Sequence, residues 1–182
     1  MDGAVSVITE LIGQREKPLI VGIDGRCAAG KTTLAERLRE RIGCNVIHAD
    51  SFFPRPEQRS SERIVNLDCE RLVEEVMLPL KSGKAFSYRV FDCKEMQFAE
   101  EIHVEPRDTA IIEGSYSLCP ALWDFYGLRI FLTVDHEEQL RRLERRNAAA
   151  LPAFRERWIP LEEKYFAAMK TAERCDRIFD MQ

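Results

Sequence analysis

Residues 18–32 read Pro18-Leu19-Ile20-Val21-Gly22-Ile23-Asp24-Gly25-Arg26-Cys27-Ala28-Ala29-Gly30-Lys31-Thr32. The stretch from Pro18 to Asp24 is almost wholly apolar and rich in β-branched residues, which predicts a strand buried on both faces. Gly25 to Thr32 then fits the phosphate-binding pattern Gly-x4-Gly-Lys-Ser/Thr. With this chain's own frequencies of Gly, Lys, Ser and Thr, chance produces the pattern in about one chain in a thousand. The context strengthens the match, because the motif follows an apolar strand and opens a helical pattern. Glycines let the backbone wrap closely around an anion. Successive N–H groups and a helix N-terminus supply partial positive charge. The cradle consists of Gly25, Arg26, Cys27, Ala28, Ala29, Gly30, Lys31, Thr32 and Thr33. Within it Lys31 is expected to reach the outer phosphates of a nucleotide, and Thr32 to offer its hydroxyl to Mg²⁺.

Working outward, strands and helices alternate. A helix is predicted over Val5 to Arg15, with Val5, Ile8, Leu11 and Ile12 on one face. Another runs from Lys31 to Ile42 and ends at Gly43. Asn45 to Asp50 reads as a second strand, and Ser51 to Asn66 as a polar loop with helical turns. Asp68 to Leu80 is predicted helical. Ala85 to Glu105 alternates apolar and polar residues and suggests a hairpin excursion. Thr109–Glu113 and Leu128–Val134 read as strands, and His136–Asn147 and Phe154–Glu173 as helices. Asp176–Phe179 reads as a last strand. The alternation predicts an α/β fold with a parallel sheet covered on both faces. At 182 residues the chain is expected to form one domain, residues 1–182.

Composition narrows the classes. Hydrophobic residues make up 45% and charged residues 32%, which excludes wholesale disorder. The longest apolar runs are far short of the roughly 20 residues of a membrane helix. The N-terminal residues lack a basic-then-apolar leader pattern, so a cytoplasmic location and no membrane partner are expected. The net charge of -4 argues against a nucleic-acid partner. Six cysteines and three histidines are scattered without metal-ligand spacing, so reduced thiols and no structural zinc are expected. Of 27 basic residues, 20 are Arg, and six of these lie between Arg141 and Arg157. The guanidinium fork suits phosphate oxygens, which marks residues 140–158 as a candidate Arg-rich lid. Leu140 and Leu143 mark its packed face, so Arg142 and Arg146 share one flank and Arg141 and Arg145 the other.

A phosphate-binding loop alone does not name a reaction. No Asn-Lys-x-Asp stands ready to read guanine, and the chain is too short for most motor ATPases. A small-molecule kinase fits what remains, with ATP and a small hydroxyl-bearing metabolite as its partners. Asp50 and Glu113 each end a predicted strand, the edge at which open α/β sheets bind ligands. One carboxylate can take the acceptor's proton and the other can hold Mg²⁺.

Gly25–Thr32, Asp50-Ser-Phe-Phe53, Asn66-Leu-Asp68, Phe91-Asp92, Glu113-Gly114 and the Arg-rich helix occur in the order seen in the uridine kinase-like branch of P-loop kinases. The chain resembles that family from about Leu19 to Phe179. The resemblance implies a P-loop NTPase fold with a five-stranded parallel sheet, helices on both faces and a small β-hairpin beside the acceptor pocket. It implies Asp50 as catalytic base, with Lys31, Arg142 and Arg146 acting on the transferred phosphate. It implies Asp68, together with Phe91 and Asp92, at the acceptor, and Thr32 and Glu113 at Mg²⁺. The chain departs from the pattern at Phe91-Asp92-Cys93, which no histidine follows until His103, and at Asn147, where an acid is usual. The acceptor stays open among nucleosides, pantothenate, nicotinamide riboside and sugar phosphates, and a non-catalytic nucleotide-binding regulator is the alternative from another class. Oligomeric state is not readable.

Overall fold

The computed structural model describes residues 1–59, 64–93 and 95–182. Its elements follow the chain as α1 (Asp2–Gly13), β1 (Leu19–Gly25), α2 (Lys31–Ile42), β2 (Asn45–His48), α3 (Cys69–Leu72) and α4 (Leu78–Ser82). Then come β3 (Phe86–Asp92), β4 (Gln97–Val104), β5 (Thr109–Glu113) and β6 (Leu128–Thr133). The chain closes with α5 (His136–Asn147), α6 (Leu151–Ala153), α7 (Ile159–Met169), α8 (Thr171–Arg174) and β7 (Arg177–Asp180). Five strands form one parallel sheet in the order β2-β5-β1-β6-β7, and β3 and β4 pair as an antiparallel ribbon. This is the expected five-stranded sheet and hairpin. The expected loop over residues 51–66 falls partly on positions 60–63, outside the described residues.

Strand alternation divides the core. Ile20, Ile47, Ile112 and Phe131 point to one face, with Tyr165 and Phe166 of α7. Val21, Ile23, Ile111 and Ile130 point to the other, against Ile8 of α1 and Leu34 and Leu38 of α2. β1 and β5 are buried at every position, as central parallel strands must be.

Three expectations shift. The predicted strand over Asn45–Asp50 stops at His48, and Ala49–Phe52 forms a 3-10 turn. Asp50 therefore sits in that turn just past the strand end. Gly114, with φ of 139°, makes the tight turn possible, because a Cβ there would lie 2.9 Å from the Ala49 Cβ. The helix over Asp68–Leu80 and the one over Phe154–Glu173 each contain a π turn, at Val73–Met77 and Phe154–Trp158. Each π turn directly precedes a helical segment with a proline in its first turn, Pro79 in α4 and Pro160 in α7. Proline brings no N–H and its ring crowds the carbonyl four residues back, so the helix widens instead of breaking. The first helix begins at Asp2 and ends at Gly13, earlier than Val5 to Arg15, and buries Ala4, Val5, Ile8 and Ile12. No helix among the described residues is long and apolar enough to cross a membrane. All six cysteines are unbridged.

Candidate active site

β1 runs straight into the loop from Gly25 to Gly30, and α2 leaves it at Lys31. Gly25 has φ of 137°, and a Cβ on it would lie 2.0 Å from the Leu132 carbonyl oxygen, so only glycine lets the loop start this close to β6. Ala28 also holds a positive φ of 61°, uncommon for a residue with a side chain. Lys31 is buried, and its Nζ donates to the Gly25 oxygen at 2.6 Å and the Arg26 oxygen at 3.0 Å. The ammonium thus lies across the mouth of the loop's own backbone.

A cavity of about 460 Å³ opens above this loop at the C-terminal ends of β1 and β5 and the turn after β2. Lys31, Thr32, Asp50, Glu113, Arg142 and Arg146 all line it. From the loop, Cys27, Ala28, Gly30 and Thr33 line it as well, while Gly25, Arg26 and Ala29 form the layer behind.

Glu113, buried at the end of β5, accepts from the Thr32 hydroxyl at 3.1 Å and meets His48 Nδ1 at 2.6 Å. The hydrogen bond to Glu113 is the main cause holding the His48 imidazole above its ordinary pKa. Asp50 opens to the cavity, yet protein crowds its carboxylate. That desolvation first, and the Glu113 charge second, raise it above the usual carboxylate range, while Lys31 and His48 pull it down. Thr32 and Glu113 offer adjacent hard oxygens, the donor chemistry that Mg²⁺ accepts. Among the described residues no cluster of three or more His, Cys, Asp or Glu side chains could hold a metal by itself. An ion here would take its other ligands from phosphate oxygens and water, the usual arrangement for Mg²⁺.

The lid side is seated by a small apolar cluster of Cys27, Leu143 and Ile159. Arg142 Nε donates to Glu138 at 2.8 Å, and its Nη atoms reach the Ala28 oxygen at 3.3 Å and the Met181 oxygen at 2.5 Å. Arg146 is exposed and lies over the Phe154 ring at 5.5 Å. Arg141 and Arg145 also pair with Glu138, from the exposed side of the helix. The helix breaks at Asn147, where the backbone turns extended before a 3-10 turn over Ala148–Ala150.

Three residues expected at the acceptor stand outside this cavity. Asp68 is buried and caps α3, accepting from the Arg71 N–H at 3.3 Å, with the Arg71 side chain at 3.8 Å. Phe91 is buried edge-on against Phe98. Asp92 accepts from the Glu95 N–H at 3.2 Å at the hairpin turn.

Other residues enter the site without having been singled out. Glu162 of α7 is buried and accepts from the Cys27 N–H at 3.0 Å and the Ser115 hydroxyl at 2.5 Å. Glu163 grips Arg26 at 2.8 Å, and Gln139 donates to the Cys27 oxygen at 3.1 Å. His48 precedes Asp50 by two residues, a spacing that places both near one strand end and could have flagged it. Glu162 carries no such signal, since its partner is 135 residues away.

Asp24 was also missed. It is buried and accepts from the Gly25 N–H at 2.7 Å, the Leu118 N–H at 3.1 Å and the Tyr165 hydroxyl at 2.9 Å. Burial raises its pKa from 3.8 to about 6, with Lys31 the largest opposing influence. The folded state therefore holds this proton more tightly than the unfolded chain. Its contribution to stability is complete below about pH 4 and is lost as pH rises through about 6. Asp24→Asn would point an amide at two N–H donors and is expected to cost about 1–3 kcal/mol. Urea melts from pH 4 to 7 check this: the variant should be less stable throughout and should lack the decline over that window. Unchanged stability and slope would contradict it.

Known proteins resemble the chain in sequence and in fold. The chain is 26% identical over 148 residues to a uridine kinase from Latilactobacillus sakei, covering 74% of this chain and 70% of the relative. It is 34% identical over 140 residues to human nicotinamide riboside kinase 2, covering 71% of this chain and 58% of the relative. A possible uridine kinase from Bacillus stearothermophilus shares the fold, with a TM-score of 0.75, 19% identity and 97% of each chain covered. Fold, loop and relatives together define the class, the P-loop small-molecule kinases. The chain belongs to the family described as an AAA domain, whose model matches residues 21–151. The resemblance to the uridine kinase-like branch is borne out by these relatives.

Proposed function

We propose that the protein transfers the γ-phosphoryl group of ATP to a hydroxyl of a small metabolite, with Mg²⁺. The observation that carries the proposal is the convergence of Lys31, Thr32, Asp50, Glu113, Arg142 and Arg146 on one cavity. Phosphoryl transfer asks mainly for positioning and charge stabilisation. Lys31 leaves its carbonyl partners to follow the transferring phosphate. The loop N–H groups cradle the phosphates, which compete with Glu162 for the Cys27 N–H. Thr32 and Glu113 would hold Mg²⁺, which when bound neutralises phosphate charge. Asp50 orients the acceptor hydroxyl and takes its proton late. Arg146, exposed and beyond the helix's carboxylates, is placed to close on the phosphate. His48 orients Glu113 and is a positioning residue.

A screen of ATP consumption against nucleosides, polyols, hydroxy acids and sugar phosphates, with and without Mg²⁺, tests the proposal. Acceptor-dependent turnover is expected. ATP binding with no turnover on any acceptor would favour the non-catalytic regulator instead.

The lid yields a second expectation. Arg146→Ala should lower kcat by at least about 10-fold with little change in the KM for ATP. Arg142→Ala should lower kcat too, and also Tm, because its bonds to the Ala28 and Met181 carbonyls are lost. Arg141→Ala and Arg145→Ala, which remove exposed partners of Glu138, should leave kcat within about 2-fold. Steady-state kinetics and melting curves on the four variants check the ranking, and the reverse order would contradict it.

A further inference from the structure

A second cavity, of about 630 Å³, adjoins the first and shares Asn66, Tyr116 and Trp158 with it. Among the described residues its remaining wall brings together three cations, Arg59, Arg157 and Lys164, against a single acid, Glu156. Among the described residues several arginines lack an ion pair, Arg41, Arg107 and Arg177 among them, but here three such cations line one cavity. Arg26, Arg71, Arg89, Arg129, Arg141, Arg142 and Arg145 each meet a carboxylate within 4 Å. Among the described residues none of Arg59, Arg157 and Lys164 has an ion pair. Among the described residues Arg59 donates to the Pro54 oxygen, at 2.9 Å, with two sulfur atoms at the edge of its reach. Arg157 lies over the Trp158 ring at 4.5 Å, a contact that leaves its N–H edge free to donate.

The junction between the cavities is itself unusual. Tyr116 holds a φ of 68°, rare for a bulky side chain and a mark of functional sites. It is buried, edge-on to Tyr165 at 5.0 Å, so the fold enforces the strained backbone. The loop from Gly114 to Tyr116 thus forms a sill between the phosphate side, where Asp50 stands, and the cationic side.

We propose that the second cavity is the acceptor's seat and that the acceptor carries an anionic group, a carboxylate or a phosphate, held by Arg59, Arg157 and Lys164 while its hydroxyl points over the sill toward Asp50. The inference rests on the kinase reading for the direction of that hydroxyl. Unpaired cations converging on one concavity are a field for a negative ligand, and guanidinium groups match the planar carboxylate or phosphate edge. Neutral nucleosides and sugars leave this field unanswered. Asn66 and the Trp158 face hold the neutral part of the molecule.

The test is calorimetric titration of the full chain, saturated with Mg²⁺ and a non-hydrolysable ATP analogue so that anionic probes cannot occupy the phosphate loop. The probes are pairs differing in the anionic group: glycerate and glycerol, gluconate and glucitol, pantothenate and pantothenol, ribulose 5-phosphate and ribulose. At least one anionic member should bind about 10-fold or more tightly than its neutral partner, and that preference should shrink as salt rises. The carboxylate and phosphate pairs separate the two sources of charge. Arg157→Gln and Lys164→Gln should each weaken the anionic member by about 5–30-fold and leave the neutral member unchanged. Equal or tighter binding of the neutral members would overturn the proposal, as would no saturable binding of any anionic member or indifference to both substitutions. Phosphoryl transfer to neutral acceptors alone would overturn it and leave the kinase reading intact. Tight binding of an anionic member without transfer would support the ligand class and count against the kinase reading.

Discussion

Asp50→Asn is expected to lower kcat by about 10²–10⁴-fold, the range typical of a general base, while binding Mg-ATP nearly as well as wild type. The substitution keeps the shape and removes both the charge and the ability to accept a proton. Asp50 lies inside the 3-10 turn over Ala49–Phe52, whose N-cap position is taken by His48. Loss of a cap is therefore no competing explanation for lost activity. The raised Asp50 pKa, from crowding and from the Glu113 charge, suits a group that takes a proton late in the reaction. Measurements of Tm, ATP affinity and kcat on the same variant decide the matter. Unchanged Tm and affinity with collapsed kcat is the expected result; near-normal kcat would end the assignment.

Lys31→Ala is expected to lower phosphoryl transfer or ATP binding by at least about 10²-fold, because a charge that tracks the transferring phosphate is lost. Two carbonyl oxygens, of Gly25 and Arg26, also lose their buried donor, which is expected to cost about 1–3 kcal/mol of stability. Lys31→Arg is the control. It keeps the charge but cannot place five N–H groups where one ammonium bonds two carbonyls, so stability should recover only in part. ATP titration and melting of both variants read the two effects separately. Wild-type turnover in Lys31→Ala would remove the loop from the mechanism.

The sheet and the phosphate loop were legible because their causes are local. Apolar β-branched runs make strands, Gly25 and Gly30 punctuate the loop, and the lysine and threonine follow at fixed spacing. The placement of Asp50 was legible to within two residues. The 3-10 turn that carries it depends on Gly114, a contact across strands that one-dimensional spacing does not hold. The flank assignment of Arg142 and Arg146 followed from Leu140 and Leu143, since helical periodicity fixes which residues share a face. Asp68, expected at the acceptor, caps α3 outside the first cavity, because an aspartate before a helix serves equally as a cap, and here Arg71 also claims it. Asp24, Glu162 and the cationic cavity were invisible to the reading. Each is made by partners far apart in the chain, as when Glu162 meets Cys27 or Arg59 and Lys164 line one cavity.

Phosphorus NMR of a reaction containing ATP, Mg²⁺ and an acceptor identified by the screen tests the central claim most directly. The account predicts that the γ-phosphate resonance of ATP is replaced one for one by a phosphomonoester resonance, only when acceptor is present, and that Lys31→Ala abolishes the change. Release of inorganic phosphate with no phosphomonoester, at a rate indifferent to acceptor, would contradict it.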